Sequence, residues 1–408
     1  MELGKYTRVH QRPSRRAGMV LIAAWTSVAG VGCSSSGDST PNDVTEARQR
    51  ALAAIVDDAI VPTYAALRAS TATLQTAVEA YRDALGTGTA SSAAARTAFE
   101  TAMLDLQRAE LMQVGPAGAA GEVSGGEGLH DRLYSWPLVS PCLVDEVTVE
   151  QRYASGSFLT DELVNVYGAD ALEYLLYAPV DQNACASTHA INTDGTWAAL
   201  SADEVRSRRA AYAAVVAAGL ASTAAQLESR WTGGFAEQMK TAGAGSTVYT
   251  TTQQAFDELF AALYYFDQQL KDTKLGAPMG ITIECAATSC PDLLESQHAH
   301  LSLEWVRANL EGYRLVLLGG VVDGSAGAGF DALASDAGND ELASRLRSTL
   351  ADAISVGQTV QSPLADHLED PEATGLHSAI QIAATLMKTS LVSTLNLSVP
   401  NEGAADND

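Results

Sequence analysis

Basic residues, aromatics and histidines are all scarce in this 408-residue chain: 25 Lys and Arg stand against 49 Asp and Glu, aromatics make up 6%, and there are seven His. A formal charge of −24 excludes a nucleic-acid partner, because phosphate backbones are held by clustered Lys and Arg. The same surplus of acid keeps the chain soluble and draws cations. Neither H-E-x-x-H nor H-x-x-E-H occurs, so a zinc peptidase lacks its usual frame. Few aromatics, abundant Ala and long runs of apolar residues at three- and four-residue spacing favour helices over strands. The expectation is an all-α protein. A hydrophobic content of 47% is enough for a sizeable core, and the length suits about two domains.

Bases are concentrated at the start. Lys5, Arg8, Arg12, Arg15 and Arg16 precede an apolar run, Met19–Val31, which leads into Gly30-Val31-Gly32-Cys33. This order resembles a bacterial lipoprotein signal with Cys33 as the lipidated residue; the run is short for a transmembrane anchor. Ser14-Arg15-Arg16 is a weaker hint of twin-arginine export. Residues 1–32 are expected to be removed as a signal peptide, and residues 33–43 to form a Ser-rich tether. With those residues gone the formal charge moves from −24 to −28, since they carry five bases and one acid. Ser34, rather than an Asp, follows the cysteine and points to an exported, lipid-anchored protein of the outer membrane.

Four cysteines then remain: Cys142, Cys185, Cys285 and Cys290. An even number in an oxidising compartment reads first as disulfides, with Cys285–Cys290 a local staple and Cys142–Cys185 the pair left by elimination. Metal ligation is the weaker reading, because no C-x-x-C spacing occurs.

Helical spacing runs over Val44–Ala84, with Pro62 as a kink or break, and over Ser91–Gln113. A Gly/Ala-rich loop, Gly115–Gly128, follows, and a further helix is expected over about Thr160–Ala178. Pro179–Leu200 has no period and reads as the boundary between an N-terminal bundle, residues 44–190, and a C-terminal bundle, residues 191–400. Ser201-Ala-Asp-Glu is a capping box for an Ala-rich helix to about Trp231. Helices are expected over Thr251–Thr273, Leu293–Leu318, Glu341–Val356 and Ala373–Leu395, with an acidic tail at 401–408.

The most informative stretch is Asn165–Ala178, N-V-Y-G-A-D-A-L-E-Y-L-L-Y-A. Asp170 and Glu173 stand three apart, hence on one helix face, among Val166, Leu172, Leu175 and Leu176, which demand burial. Buried acids need a cation or a donor. The stretch resembles the signature of the imelysin-like proteins, G-x-H-x-x-E followed by an aromatic and leucines, with Gly168 and Glu173 in its outer places and Asp170 where the His stands. Glu110–Pro116, Arg132–Pro137 and Lys274–Gly280 also resemble that family's pattern, so the likeness spans roughly Ala51 to Leu397. It implies two helical bundles related by internal duplication. The family's founding members were described as metallopeptidases and related modules occur in bacterial iron uptake. With Asp170 replacing the imidazole, and with His130, His189, His298, His300, His367 and His377 scattered, peptidase chemistry is disfavoured.

An oxygen-rich cation site suits the acids better. Asp170 and Glu173 would be joined from facing elements by Glu295 and His298, expected on one face of their helix, and by Glu110; iron or calcium is favoured over zinc. Gly168 would allow close approach, and Arg132 and Trp136 would form the wall. The plainer alternative makes Asp170 and Glu173 structural acceptors from Arg132, Tyr134 or Trp136. The functional readings are a lipid-anchored protein that binds a metal ion or metal complex and works with outer-membrane or periplasmic transport components, a metallopeptidase acting on periplasmic or extracellular proteins, and a binding protein without metal.

Overall fold

Apolar residues at helical spacing build helices here, and at Ile55–Ile60 and Met387–Leu391 a helix widens to π form and continues instead of stopping. The computed structural model describes residues 41–88 and 90–400, with no strand among them. The expected signal segment, Cys33, most of the tether and the acidic tail lie outside the described residues.

Helix α1, Pro41–Ala54, continues through a π-helical stretch, Ile55–Ile60, into α2, Val61–Leu85. The chain does not break at Pro62. The widened turn bonds the Val61 N–H to the Val56 carbonyl, and Pro62, which has no N–H to give, follows directly on it. Helix α3, Ala93–Ala109, ends in a 3-10 turn at Glu110–Met112.

After the Gly-rich loop come α4, Pro141–Glu150, and a short α5, Phe158–Asp161. The helix expected over Thr160–Ala178 is interrupted, and only α6, Ala169–Tyr177, carries the signature acids. Gly168 makes the interruption. Its φ of 97° lets the chain turn so that the Ala169 N–H reaches the Leu133 carbonyl at 2.9 Å, a conformation a side chain would strain. Helix α7, Ala190–Thr193, is a single turn, and α8, Ala202–Arg230, starts at the expected capping box: Glu204 N–H bonds Ser201 Oγ at 3.2 Å and Glu204 Oε2 accepts from Ser201 N–H at 2.8 Å.

Beyond α8 lie α9, Ala236–Lys240, α10, Thr252–Leu263, and an eleven-residue π-helical stretch, Phe266–Gly276. Then the expectation fails over Leu293–Leu301, because α11 begins only at Ser302 and runs to Leu317. Two amides that a helix would have spent on carbonyls, those of His298 and Ala299, are bonded to the Glu173 carboxylate instead. Helices α12, Phe330–Asp336, α13, Asp340–Thr359, α14, Pro371–Leu386, and α15, Val392–Leu395, complete the chain.

α2 packs against α3 and α8, and α6 against α8; α13 packs against α14 and α12. The two groups meet where α3 lies against α11. Contact there is close enough to require Gly312, since a Cβ at that position would stand 2.3 Å from the Arg108 carbonyl oxygen. Buried apolar residues from α1 to Leu397 form a single cluster across this junction.

Candidate functional site

Helix α6 presents Asp170 and Glu173, one turn apart, to a cavity of about 420 Å³. Three further acids line it, Glu284, Asp292 and Glu295, together with His298. Trp136, Pro137, Tyr174 and Leu293 supply apolar wall.

Each acid is held differently. Asp170 Oδ2 accepts from the Ser135 N–H at 3.0 Å and from Ser135 Oγ at 3.1 Å. Glu173 Oε1 accepts from Ser296 Oγ at 2.9 Å and from the amides of His298 and Ala299 at 2.9 and 2.7 Å. These donors favour the charged forms, yet burial outweighs them and the neighbouring acids add to it, so both carboxyls are pushed up to about 7. The donors gather on one oxygen of each group, Asp170 Oδ2 and Glu173 Oε1.

Glu295 forms the polar floor. Its Oε1 takes Lys274 Nζ at 2.8 Å, Gln107 Nε2 at 2.9 Å and the Tyr134 hydroxyl. Lys274 comes from the π-helical stretch, Gln107 from α3, and Asn309, which holds Lys274 Nζ at 3.0 Å, from α11. Lys274 and Glu295 side chains are each only 1% exposed, so this network seals the α3–α11 junction directly beneath the cavity. Glu295 Oε2 is buried with no hydrogen-bond partner. Such an atom is costly unless something else meets it.

Of the residues singled out in the sequence, Asp170, Glu173, Glu295, His298 and Trp136 therefore share one cavity. Glu295 and His298 do so from an irregular segment and not from a common helix face. His298 lies edge-on to Tyr174, ring centroids 4.9 Å apart, and burial, with His300 and Arg209 nearby, lowers its pKa. Glu110 is elsewhere, in an adjoining cavity of about 380 Å³ that shares Trp136 and Pro137 with the first. There His130 Nε2 meets Glu110 Oε1 at 2.6 Å. Burial opposes both charges, but each sustains the other: Glu110 stays below the usual carboxylate range, and Glu110 with Asp131 raises His130 to about 10. Arg132 and Gly168 line a third cleft, of about 230 Å³, with Tyr167 and Gln226. Arg132 is thus not part of the acidic cavity's wall. Both disulfides, Cys142–Cys185 and Cys285–Cys290, are formed.

Sequence reasoning passed over Ser135, Ser296, Gln107, Asn309, Glu284 and Asp292. Ser135 sits in the segment Arg132–Pro137 and Ser296 beside Glu295, so adjacency to marked residues was the only signal. Nothing in residue spacing announces that Gln107 and Asn309 will clasp Lys274.

An acid-lined cavity with a single imidazole and an unpartnered carboxylate oxygen is suited to a hard cation. Its carboxylates are spread out, however. Among the described residues, the one trio of His, Cys, Asp or Glu whose donor atoms all lie within 4.8 Å of one another is Cys142, Cys185 and His189. The cavity's size also exceeds what a bare ion fills and falls in the range of small-molecule pockets.

A family model described as Imelysin matches residues 60–390. No curated protein matches the chain. A solved structure from Parabacteroides distasonis, provisionally described as an iron-regulated protein A precursor, is similar at a TM-score of 0.67 and 17% identity, over 88% of this chain and 97% of that one. An imelysin-like protein from Psychrobacter arcticum is similar at a TM-score of 0.64 and 18% identity, over 87% of this chain and 98% of that one. At such identities the likeness is one of fold.

Proposed function

This chain belongs to the imelysin family, and from that premise we propose that it is an exported, lipid-anchored binding protein whose acidic cavity takes a hydrated metal ion or a metal complex, iron before calcium, for uptake. The observation that carries the reading is the cavity lined by five acids, Asp170, Glu173, Glu284, Asp292 and Glu295, with Glu295 Oε2 buried beside it without a hydrogen-bond partner. Hard cations prefer such donors, and the volume suits an ion that keeps its waters or arrives chelated. The similarity to a protein described as iron-regulated supports iron as the first metal to try.

A second reading has its own observation. Five hydrogen bonds tie Asp170 and Glu173 to Ser135 and to the segment Ser296–Ala299, which is what purely architectural acids would do.

Metal titration separates the two. A chain starting at Ser34 is titrated with ferric iron, ferric citrate, calcium and zinc beside Asp170→Asn and Glu173→Gln, which keep an acceptor oxygen for the existing donors. Stoichiometric binding of iron or its chelate, weakened at least tenfold in each variant with the circular dichroism unchanged, is the expected result. No binding by the parent makes the pair structural. Chelator-sensitive cleavage of a protein substrate, abolished in Glu173→Gln, would restore the peptidase reading.

A further inference from the structure

We propose a second metal site, distinct from the acidic cavity and opened by reduction: Cys142, Cys185 and His189, with Glu146 beside them, form a thiolate-imidazole site for a zinc-like divalent cation once the disulfide between the two cysteines is cleaved. The donor atoms of the three residues already lie within 4.8 Å of one another, and all three are partly exposed. Glu146 Oε2 stands 3.3 Å from His189 Nε2, so a fourth, oxygen ligand is at hand. Two sulfurs, one imidazole and one carboxylate or water is a donor set that zinc accepts in tetrahedral sites. Cys142 lies in the first turn of α4, where the helix dipole favours a thiolate.

What makes the site more than a neighbourhood is that the two sulfurs are held together by contacts that do not involve them. Asp145, fully buried one turn of α4 beyond Cys142, accepts from the Ala184 N–H at 2.8 Å and from Arg209 Nη2 at 2.8 Å. Arg209 Nη1 in turn binds the carbonyls of Ala178 and Pro179 at 3.1 and 2.8 Å. On the other side of Cys185, the Asn192 amide binds the carbonyls of Cys185 and Ala186 at 3.2 and 2.9 Å, and Asn183 Nδ2 binds Asn192 Oδ1 at 2.9 Å. The loop carrying Cys185 and His189 is therefore fastened to α4 and α8 independently of the Sγ–Sγ bond. Reduction releases two thiols that stay in place.

The chemistry balances simply. A dithiol reductant attacks the disulfide, is itself oxidised to a disulfide, and leaves one proton on each of Cys142 and Cys185. The incoming divalent cation displaces those two protons. In the oxidised chain the sulfurs bond each other and only His189 and Glu146 remain as ligands, too few to hold zinc firmly. Binding at this place is then a readout of the thiol–disulfide balance around the protein.

The test uses the exported chain carrying Cys285→Ser and Cys290→Ser, which removes the other disulfide. It is reduced with a phosphine, freed of excess reagent, and titrated with zinc and with cobalt as a spectroscopic probe. The expected result is one cation per chain in the reduced form, a thiolate-to-cobalt charge-transfer band, and at least a hundredfold weaker binding after reoxidation. His189→Ala should weaken zinc at least tenfold, and the thiolate-to-cobalt band, which the carboxylates of the acidic cavity cannot give, separates this site from that cavity. A chain with Cys142→Ser and Cys185→Ser should keep the parent's circular dichroism and lose the band. Equal zinc binding before and after reduction overturns the proposal. So does unfolding of the reduced chain, because the Asp145 and Asn192 contacts would then not hold the loop.

Discussion

Glu295 and Lys274 meet at 2.8 Å where both are almost completely enclosed, and neither charge has water to fall back on. Pairs of this kind are weak evidence of net stability, since desolvation offsets the attraction, but breaking one by removing a single partner leaves an uncompensated buried charge. Glu295→Gln keeps the shape and strips the charge from Lys274's partner. We expect it to destabilise the protein by about 3–5 kcal/mol in urea unfolding, and Lys274→Met alone to cost a similar amount. Both together should cost much less than the sum, because the double variant has no orphaned charge. Additive losses would mean that Gln107 and Asn309, not Glu295, satisfy Lys274.

Among the elements, the segment between Leu293 and Leu301 shows most clearly how tertiary contacts override local preference. Its apolar and helix-forming residues read as the start of α11, yet it is held out of the helix, turned over residues 297–299, by the Glu173 carboxylate and by the Ser296 N–H bonded to Ser302 Oγ at 2.9 Å. If Glu173 is the cause, Glu173→Ala should release the amides of His298 and Ala299 to exchange with deuterium about ten- to a hundredfold faster, as expected for losing a hydrogen bond to a carboxylate. Unchanged exchange would show that packing alone fixes the segment. The long helices were legible in the sequence because apolar period and capping chemistry are local: Ser201 and Glu204 mark the start of α8, and Asp170 with Glu173 mark one helix face. Glu295 and His298 were legible as site residues but not their conformation. What places them is an acid 120 or so residues away in sequence, and no local spacing records that. Glu110 was misplaced for a related reason: its charge is claimed by His130, a partner that only the fold brings near.

At the scale of the molecule, the two buried acids of α6 tie stability to pH and to the proposed ligand at once. Asp170 and Glu173 are raised to about 7 in the folded protein against ordinary carboxyl values near 4 when unfolded. A raised folded pKa means that the folded state holds the proton more tightly. The contribution to stability is therefore fully present below about pH 4, declines as pH rises, and is gone once pH passes about 7. His130, raised to about 10, has the same sign at higher pH, its contribution present below about 6.5 and lost through 10. A chain with Asp170→Asn and Glu173→Gln lacks the first decline, so its stability relative to the parent should improve by a few kcal/mol between pH 4.5 and pH 8. On the proposed function a hard cation would reverse the parent's trend, because it would bind the deprotonated pair and stabilise by mass action. Saturating calcium or ferric citrate should accordingly raise the melting temperature of the parent at pH 8, do little at pH 5, and do nothing at either pH in the double variant. An equal rise at both pH values would place the cation away from Asp170 and Glu173, since ligands that must first lose a proton cannot bind it as well at pH 5 as at pH 8.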